Sequence, residues 1–103
     1  MTGRSVTFPS EAVFQRTVLD LAKHLGLLVY HPHITIRDEA GFPDLVIVGT
    51  RGLLFRELKT EKGRVRPEQN EWIGRLARSG ADVAVWRPSQ WPHDIHAELK
   101  AIR

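Results

Sequence analysis

Residues 44–59 read DLVIVGTRGLLFRELK. Two apolar runs, 44–48 and 53–59, flank Gly49-Thr50-Arg51-Gly52, a hairpin turn signal. With a two-residue turn at Thr50-Arg51, Gly49 faces Gly52. Counting back along both strands then puts Asp44 directly opposite Glu57. A four-residue turn with Val48 facing Leu53 gives the same register, whereas an odd-length turn breaks it. Opposed residues share a face, with Cβ atoms about 5 Å apart. Two carboxylates that close repel unless something positive lies between them, and a hard, oxygen-seeking divalent cation is the natural occupant. Alternation along the strand puts Lys59 on the same face as Glu57. Leu58, between them, points into apolar packing and leaves its backbone carbonyl available to a metal.

Working outward, Ser10 is a helix N-cap and Gly26 a helix stop, with Phe14, Val18, Leu21 and Leu25 spaced as one apolar face between them. Residues 27–34 (LLVYHPHI) read as a strand, with Pro32 marking an edge or a bulge. Pro67 suits the first position of a second helix, closed by Ser79-Gly80, with Ile73, Leu76 and Ala77 as its apolar stripe. Residues 82–86 (DVAVW) read as a last strand stopped by Pro88. Residues 92–102 form a final helix with Ile95, Leu99 and Ile102 on one face. The order is helix, three strands, helix, strand, helix (αβββαβα). The step from 53–59 through 67–79 to 82–86 is a parallel right-handed crossover. The expectation is an α/β fold, a mixed sheet with helices packed on it, in one domain over residues 10–103 preceded by a flexible arm at 1–9.

The chain has 103 residues, room for one core and not two. It is 42% hydrophobic and 26% charged, which argues against a disordered chain. It contains no cysteine, so disulfides, thiolate metal sites and cysteine nucleophiles are excluded. The first nine residues lack a signal peptide's apolar stretch, and apolar runs of about five residues are too short to span a membrane. A cytoplasmic location, in a bacterial or phage-infected host cell, is expected. The formal charge is +3. Residues 56–66 hold Arg56, Lys59, Lys62, Arg64 and Arg66 against Glu57 and Glu61, which accounts for the whole excess. Such a local patch is what an anionic polymer reads, although a solvated loop with ordinary Lys and Arg has the same look.

Two helical residues extend the constellation. Glu11, Gln15, Val18 and Ala22 lie on or beside the buried stripe of the first helix, and Gln69 shares the face of Ile73 and Leu76 on the second. Each feature taken singly has an ordinary explanation: a turn aspartate, a surface ion pair, a first-turn helix acid. Together they aim polar groups at one region, and the basic patch begins there.

Gly41-Phe42-Pro43-Asp44 followed by Glu57-Leu58-Lys59 resembles the signature of the PD-(D/E)XK nuclease superfamily. The continuation ELKTEKGRVRPEQNEW (Glu57 to Trp72) is similar to the VRR-NUC domain, in its small stand-alone phage and bacterial form. The resemblance covers about residues 10–91 and implies a restriction-endonuclease-like sheet flanked by helices. It implies that Asp44, Glu57 and the Leu58 carbonyl hold Mg²⁺, with Mn²⁺ able to substitute. It makes Lys59 the catalytic lysine, with Glu11 and Gln69 organising the site. Arg56, Lys62, Arg64 and Arg66 are expected to hold the DNA backbone. The implied activity is hydrolysis of DNA phosphodiesters to 5′-phosphate and 3′-hydroxyl ends. The expected substrate is branched or four-way-junction DNA and the expected form a homodimer, with apolar surface from the last helix and the Trp86 to Trp91 stretch. The alternative is a non-catalytic nucleic-acid-binding module that has kept the fold. His93 and His96, one helical turn apart, invite a zinc reading but show no third ligand. His31 and His33 share a strand face and suit packing or DNA contact equally. The three Trp are more ordinary as core residues than as base-stacking platforms.

Overall fold

The structure is a computed structural model that describes residues 7–32 and 40–103. Of the strand expected over 27–34, residues 28–30 form one and 31–32 do not, while residues 33 and 34, His33 included, and most of the expected arm lie outside the described residues. The elements in chain order are α1 (Glu11–His24), β1 (Leu28–Tyr30), β2 (Leu45–Gly49), β3 (Gly52–Leu58), α2 (Pro67–Arg78), β4 (Asp82–Trp86), a 3₁₀ turn (Pro88–Gln90) and α3 (His93–Ile102). The 3₁₀ turn after β4 was not anticipated; Pro88 begins it rather than simply ending the strand. No helix of the described residues is long and apolar enough to cross a membrane.

The sheet has the order β1-β2-β3-β4. The first three strands are antiparallel and β4 runs parallel to β3. This is the mixed sheet read from the sequence. The hairpin register is as counted, with Gly49 paired to Gly52 and Leu45 to Arg56. Its two-residue turn lies against Ile102. A Cβ on Gly49 would sit 1.8 Å from the Ile102 carbonyl oxygen, and the Arg51 amide donates to that oxygen at 2.9 Å.

One face of the sheet carries the core. Leu45, Ile47, Leu54, Leu58 and Trp86 pack against Phe14, Val18 and Ala22 of α1 and against Ile95, Leu99 and Ile102 of α3. α1 starts where expected: Ser10 accepts the Val13 amide at 3.3 Å. α2 reaches the opposite face, where Phe42 meets Trp72 edge-to-face at 5.1 Å and Phe55 at 6.3 Å. Its expected apolar stripe is weaker than read. Ile73 and Leu76 are half-buried and Ala77 is exposed, and the one buried residue of the helix is Gln69.

The apolar surface expected of the last helix and the Trp86 to Trp91 stretch is consumed inside the monomer, because Trp86, Ile95 and Leu99 are fully buried. Exposed apolar side chains lie elsewhere. Leu28, Val48 and Leu53 face each other across β1, β2 and β3 and are 73%, 42% and 44% exposed.

Candidate active site

Asp44 stands immediately before β2, after the buried Pro43, and its Oδ2 accepts the Leu58 amide at 2.8 Å. That bond ties the start of β2 to the end of β3 and fixes the carboxylate where the hairpin register places it. Glu57 follows from strand alternation: Leu54 and Leu58 go to the core, so Glu57 goes to the other face, with Phe55.

There Glu57 is 2% exposed. Its Oε2 accepts the Gln69 Nε2 at 2.8 Å and lies 3.7 Å from Lys59 Nζ. Its Oε1 is buried with no hydrogen-bond partner, which is costly for a carboxylate oxygen unless a ligand supplies one. Burial first, then the charge of Asp44, raises the Glu57 pKa from 4.5 to about 7; Lys59 pulls it back and Glu11 adds a further upward push.

Gln69 serves two masters. Its Oε1 accepts the Arg66 amide at 2.8 Å, closing the first turn of α2, and its Nε2 holds Glu57. The first turn of α2 is seated on Gly41, which has φ +91. A Cβ there would come within 2.4 Å of the Glu68 carbonyl oxygen and 2.8 Å of the Gln69 amide nitrogen. The glycine of the GFPD stretch is thus a close approach of backbone to backbone that brings Gln69 onto Glu57.

The structure brings Asp44, Glu57, Lys59 and Gln69 together. Glu11 is exposed in the first turn of α1, close enough for its charge to act on Glu57. Lys62, Arg64 and Arg66 are exposed on the loop between β3 and α2. Arg56 is not part of that surface. It shares the core face with Leu54 and Leu58 and is 2% exposed. Its guanidinium meets Asp82 at 2.8 Å and Glu98 at 2.7 Å and lies 5.2 Å from the Trp86 ring. The expectation that Arg56 holds DNA is therefore corrected: a side chain so enclosed cannot reach a phosphate. Trp86 is enclosed with it and offers no face to a base. His31 bonds Gln15 through Nε2 and the Pro32 carbonyl through Nδ1, at 3.2 Å for the latter.

Among the described residues no three His, Asp or Glu side chains converge to hold a metal ion, so His93 and His96 gain no partner and Glu11 does not complete a triad. The acid pair still fits a hard divalent cation. Mg²⁺ commonly uses one or two carboxylates and fills its remaining positions with water and substrate phosphate. The unpartnered Oε1 of Glu57 beside Asp44 is the kind of oxygen such an ion takes.

Sequence reasoning missed Arg87. Its Nη1 donates to the carbonyls of Thr60 at 2.7 Å, Glu61 at 3.2 Å and Gly63 at 2.8 Å. Extending the parallel register of β3 and β4 past Trp86 would have placed it beside Lys59.

No curated protein matches the chain in sequence. Solved structures share its fold. One, titled "VRR_NUC domain protein", is 20% identical, with a TM-score of 0.72, covering 93% of this chain and 89% of that one. Another, titled "VRR_NUC domain", is 25% identical, with a TM-score of 0.69, covering 90% and 97%. The VRR-NUC domain family matches residues 36–90, which include Asp44, Glu57, Lys59, Gln69 and Arg87. With more than half of its length inside that match, the chain belongs to the VRR-NUC family of nuclease domains.

Proposed function

We propose that this nuclease domain is a divalent-metal-dependent DNA endonuclease acting on branched DNA, four-way junctions foremost, as a symmetric homodimer. The observation that carries the reading is the buried Glu57 with one oxygen held by Gln69 and the other unpartnered beside Asp44. Binding alone needs no enclosed acid pair next to a phosphate, which disfavours a non-catalytic module.

Asp44, Glu57 and the Leu58 carbonyl would hold Mg²⁺, or Mn²⁺ in its place. The ion, when bound, activates water and draws charge from a non-bridging phosphate oxygen. Lys59, 12% exposed and leaning on Glu57, orients the attacking water and faces the charge that gathers on the phosphate. Gln69 keeps Glu57 Oε2 turned away so that Oε1 stays available. Lys62, Arg64 and Arg66 hold the DNA backbone. The water oxygen bonds to phosphorus as the P–O3′ bond breaks, leaving 5′-phosphate and 3′-hydroxyl ends. One site cuts one strand, so two matched cuts across a junction ask for two chains. The line of Leu28, Val48 and Leu53 offers the apolar surface for that pairing.

The test is incubation with supercoiled plasmid, flaps and a four-way junction in Mg²⁺, Mn²⁺ and EDTA. Cleavage with either ion and none in EDTA is expected, fastest on the junction. Cleavage in EDTA overturns the metal reading, and equal rates on all three substrates overturn the junction preference.

A further inference from the structure

β3 and β4 run parallel with Leu58 beside Trp86, and the Lys59 amide donates to the Trp86 carbonyl at 3.1 Å. One further step along this register sets Arg87 next to Lys59, on the face that carries Glu57. Two cations side by side on neighbouring strands repel. Arg87 does not relieve that repulsion with an acid: among the described residues it makes no ion pair. Its Nη1 instead gathers three carbonyls of the segment that follows Lys59, those of Thr60, Glu61 and Gly63. Glu61 returns the tie, its Oε1 accepting the Ser89 amide at 2.9 Å. The far end of the same loop is held by Gln69 through the Arg66 amide.

The loop carrying Lys62, Arg64 and Arg66 is thus anchored at one end by a neighbour of Lys59 and at the other by the partner of Glu57. We propose that Arg87 is a positioning residue of the nuclease site. Its guanidinium fixes the loop so that the loop's cations and Lys59 face one phosphate backbone, and its own charge, shared only with carbonyls, adds to that field. A loop fixed beforehand loses little freedom when DNA binds, which favours affinity. The inference rests on the nuclease reading above.

The variant is Arg87→Gln, compared with wild type in three measurements. Trypsin cutting after Lys62 and Arg64 should speed up about tenfold as the loop opens locally. The salt dependence of DNA binding should flatten by more than the roughly 0.9 of slope that a single lost phosphate contact removes. The KM for DNA should rise about tenfold, with a smaller loss in kcat. Wild-type trypsin resistance with an unchanged slope overturns the proposal. Should Arg87→Gln fail to fold, Arg87→Lys decides. Recovery of binding in step with trypsin resistance supports positioning, and full binding with a trypsin-sensitive loop assigns Arg87 to direct charge contact instead. Absence of cleavage by wild type on every DNA overturns the nuclease reading separately, and the trypsin comparison still judges Arg87.

Discussion

Glu57 carries a proton to higher pH in the folded protein than in the unfolded chain, because it is buried and faces Asp44. A raised native pKa contributes stability that is full below the ordinary value of 4.5 and lost as pH climbs through about 7. The full difference corresponds to roughly 3 kcal/mol as an upper figure. The metal-free protein is therefore expected to melt at lower temperature as pH rises from about 5 to about 8, and Glu57→Gln should flatten that slope. An equally steep slope in Glu57→Gln, followed by calorimetry, would place the titrating group elsewhere. Asp44→Asn and Glu57→Gln should each cut cleavage by about 10³-fold, since several kcal/mol of charge stabilisation goes with the ion. Mg²⁺ added at high pH should raise the melting temperature of wild type and not of Asp44→Asn. Cleavage at the wild-type rate in either variant would remove these two residues from the site.

At the scale of elements, the seat of α2 on Gly41 and the buried guanidinium under β3 make separate predictions. Gly41→Ala forces a Cβ into the Glu68 carbonyl in a backbone conformation that side chains avoid. A stability loss of roughly 2 kcal/mol is expected, with cleavage reduced further because Gln69 moves off Glu57. Denaturant unfolding and a rate measurement on the folded fraction separate the two effects. On the other face, Arg56 is enclosed while Asp82 and Glu98 are 63% and 36% exposed. Removing the guanidinium leaves acids that water can reach, so Arg56→Met should cost less than Glu98→Ala. The latter takes from the buried Arg56 one of its two acids, leaving Asp82, and from the Trp86 indole N–H its acceptor, Glu98 at 3.2 Å. About 2–3 kcal/mol is expected for Glu98→Ala, and the reverse ranking would contradict this account.

These elements also show what a sequence discloses. The hairpin and the Asp44–Glu57 juxtaposition were legible because a turn signal and a period of two fix the register together. Arg56 was misread by its charge. Alternation with Leu54 and Leu58 already assigned it to the core face, but its partners Asp82 and Glu98 lie far along the chain, so nothing local announced that the charge would be matched. Gln69 was legible from its spacing to Ile73 and Leu76. The seat on Gly41 and the carbonyl cluster at Arg87 depend on how two segments meet in space, and no periodicity encodes that.

For the whole molecule, the basic surface and the apolar line make the last predictions. Arg64→Ala with Arg66→Ala should flatten the salt dependence of DNA binding by roughly one to two units of slope. An unchanged slope would put the DNA on another surface. Light scattering should give twice the 11.7 kDa chain mass at micromolar protein, and Leu53→Glu should return it to a single chain without unfolding it. A monomer in wild type at that concentration would end the dimer reading.

The Ile102 carbonyl bonded to Arg51, against a Gly49 with no room for a side chain, has a consequence for biosynthesis. The turn joining the two acid-bearing strands is covered by residues translated about fifty positions later. The hairpin's strand pairs are local in sequence, whereas the contact that closes its turn is not. The turn therefore gains this hydrogen bond only after residue 102 has been added, so its closure is a late event of synthesis.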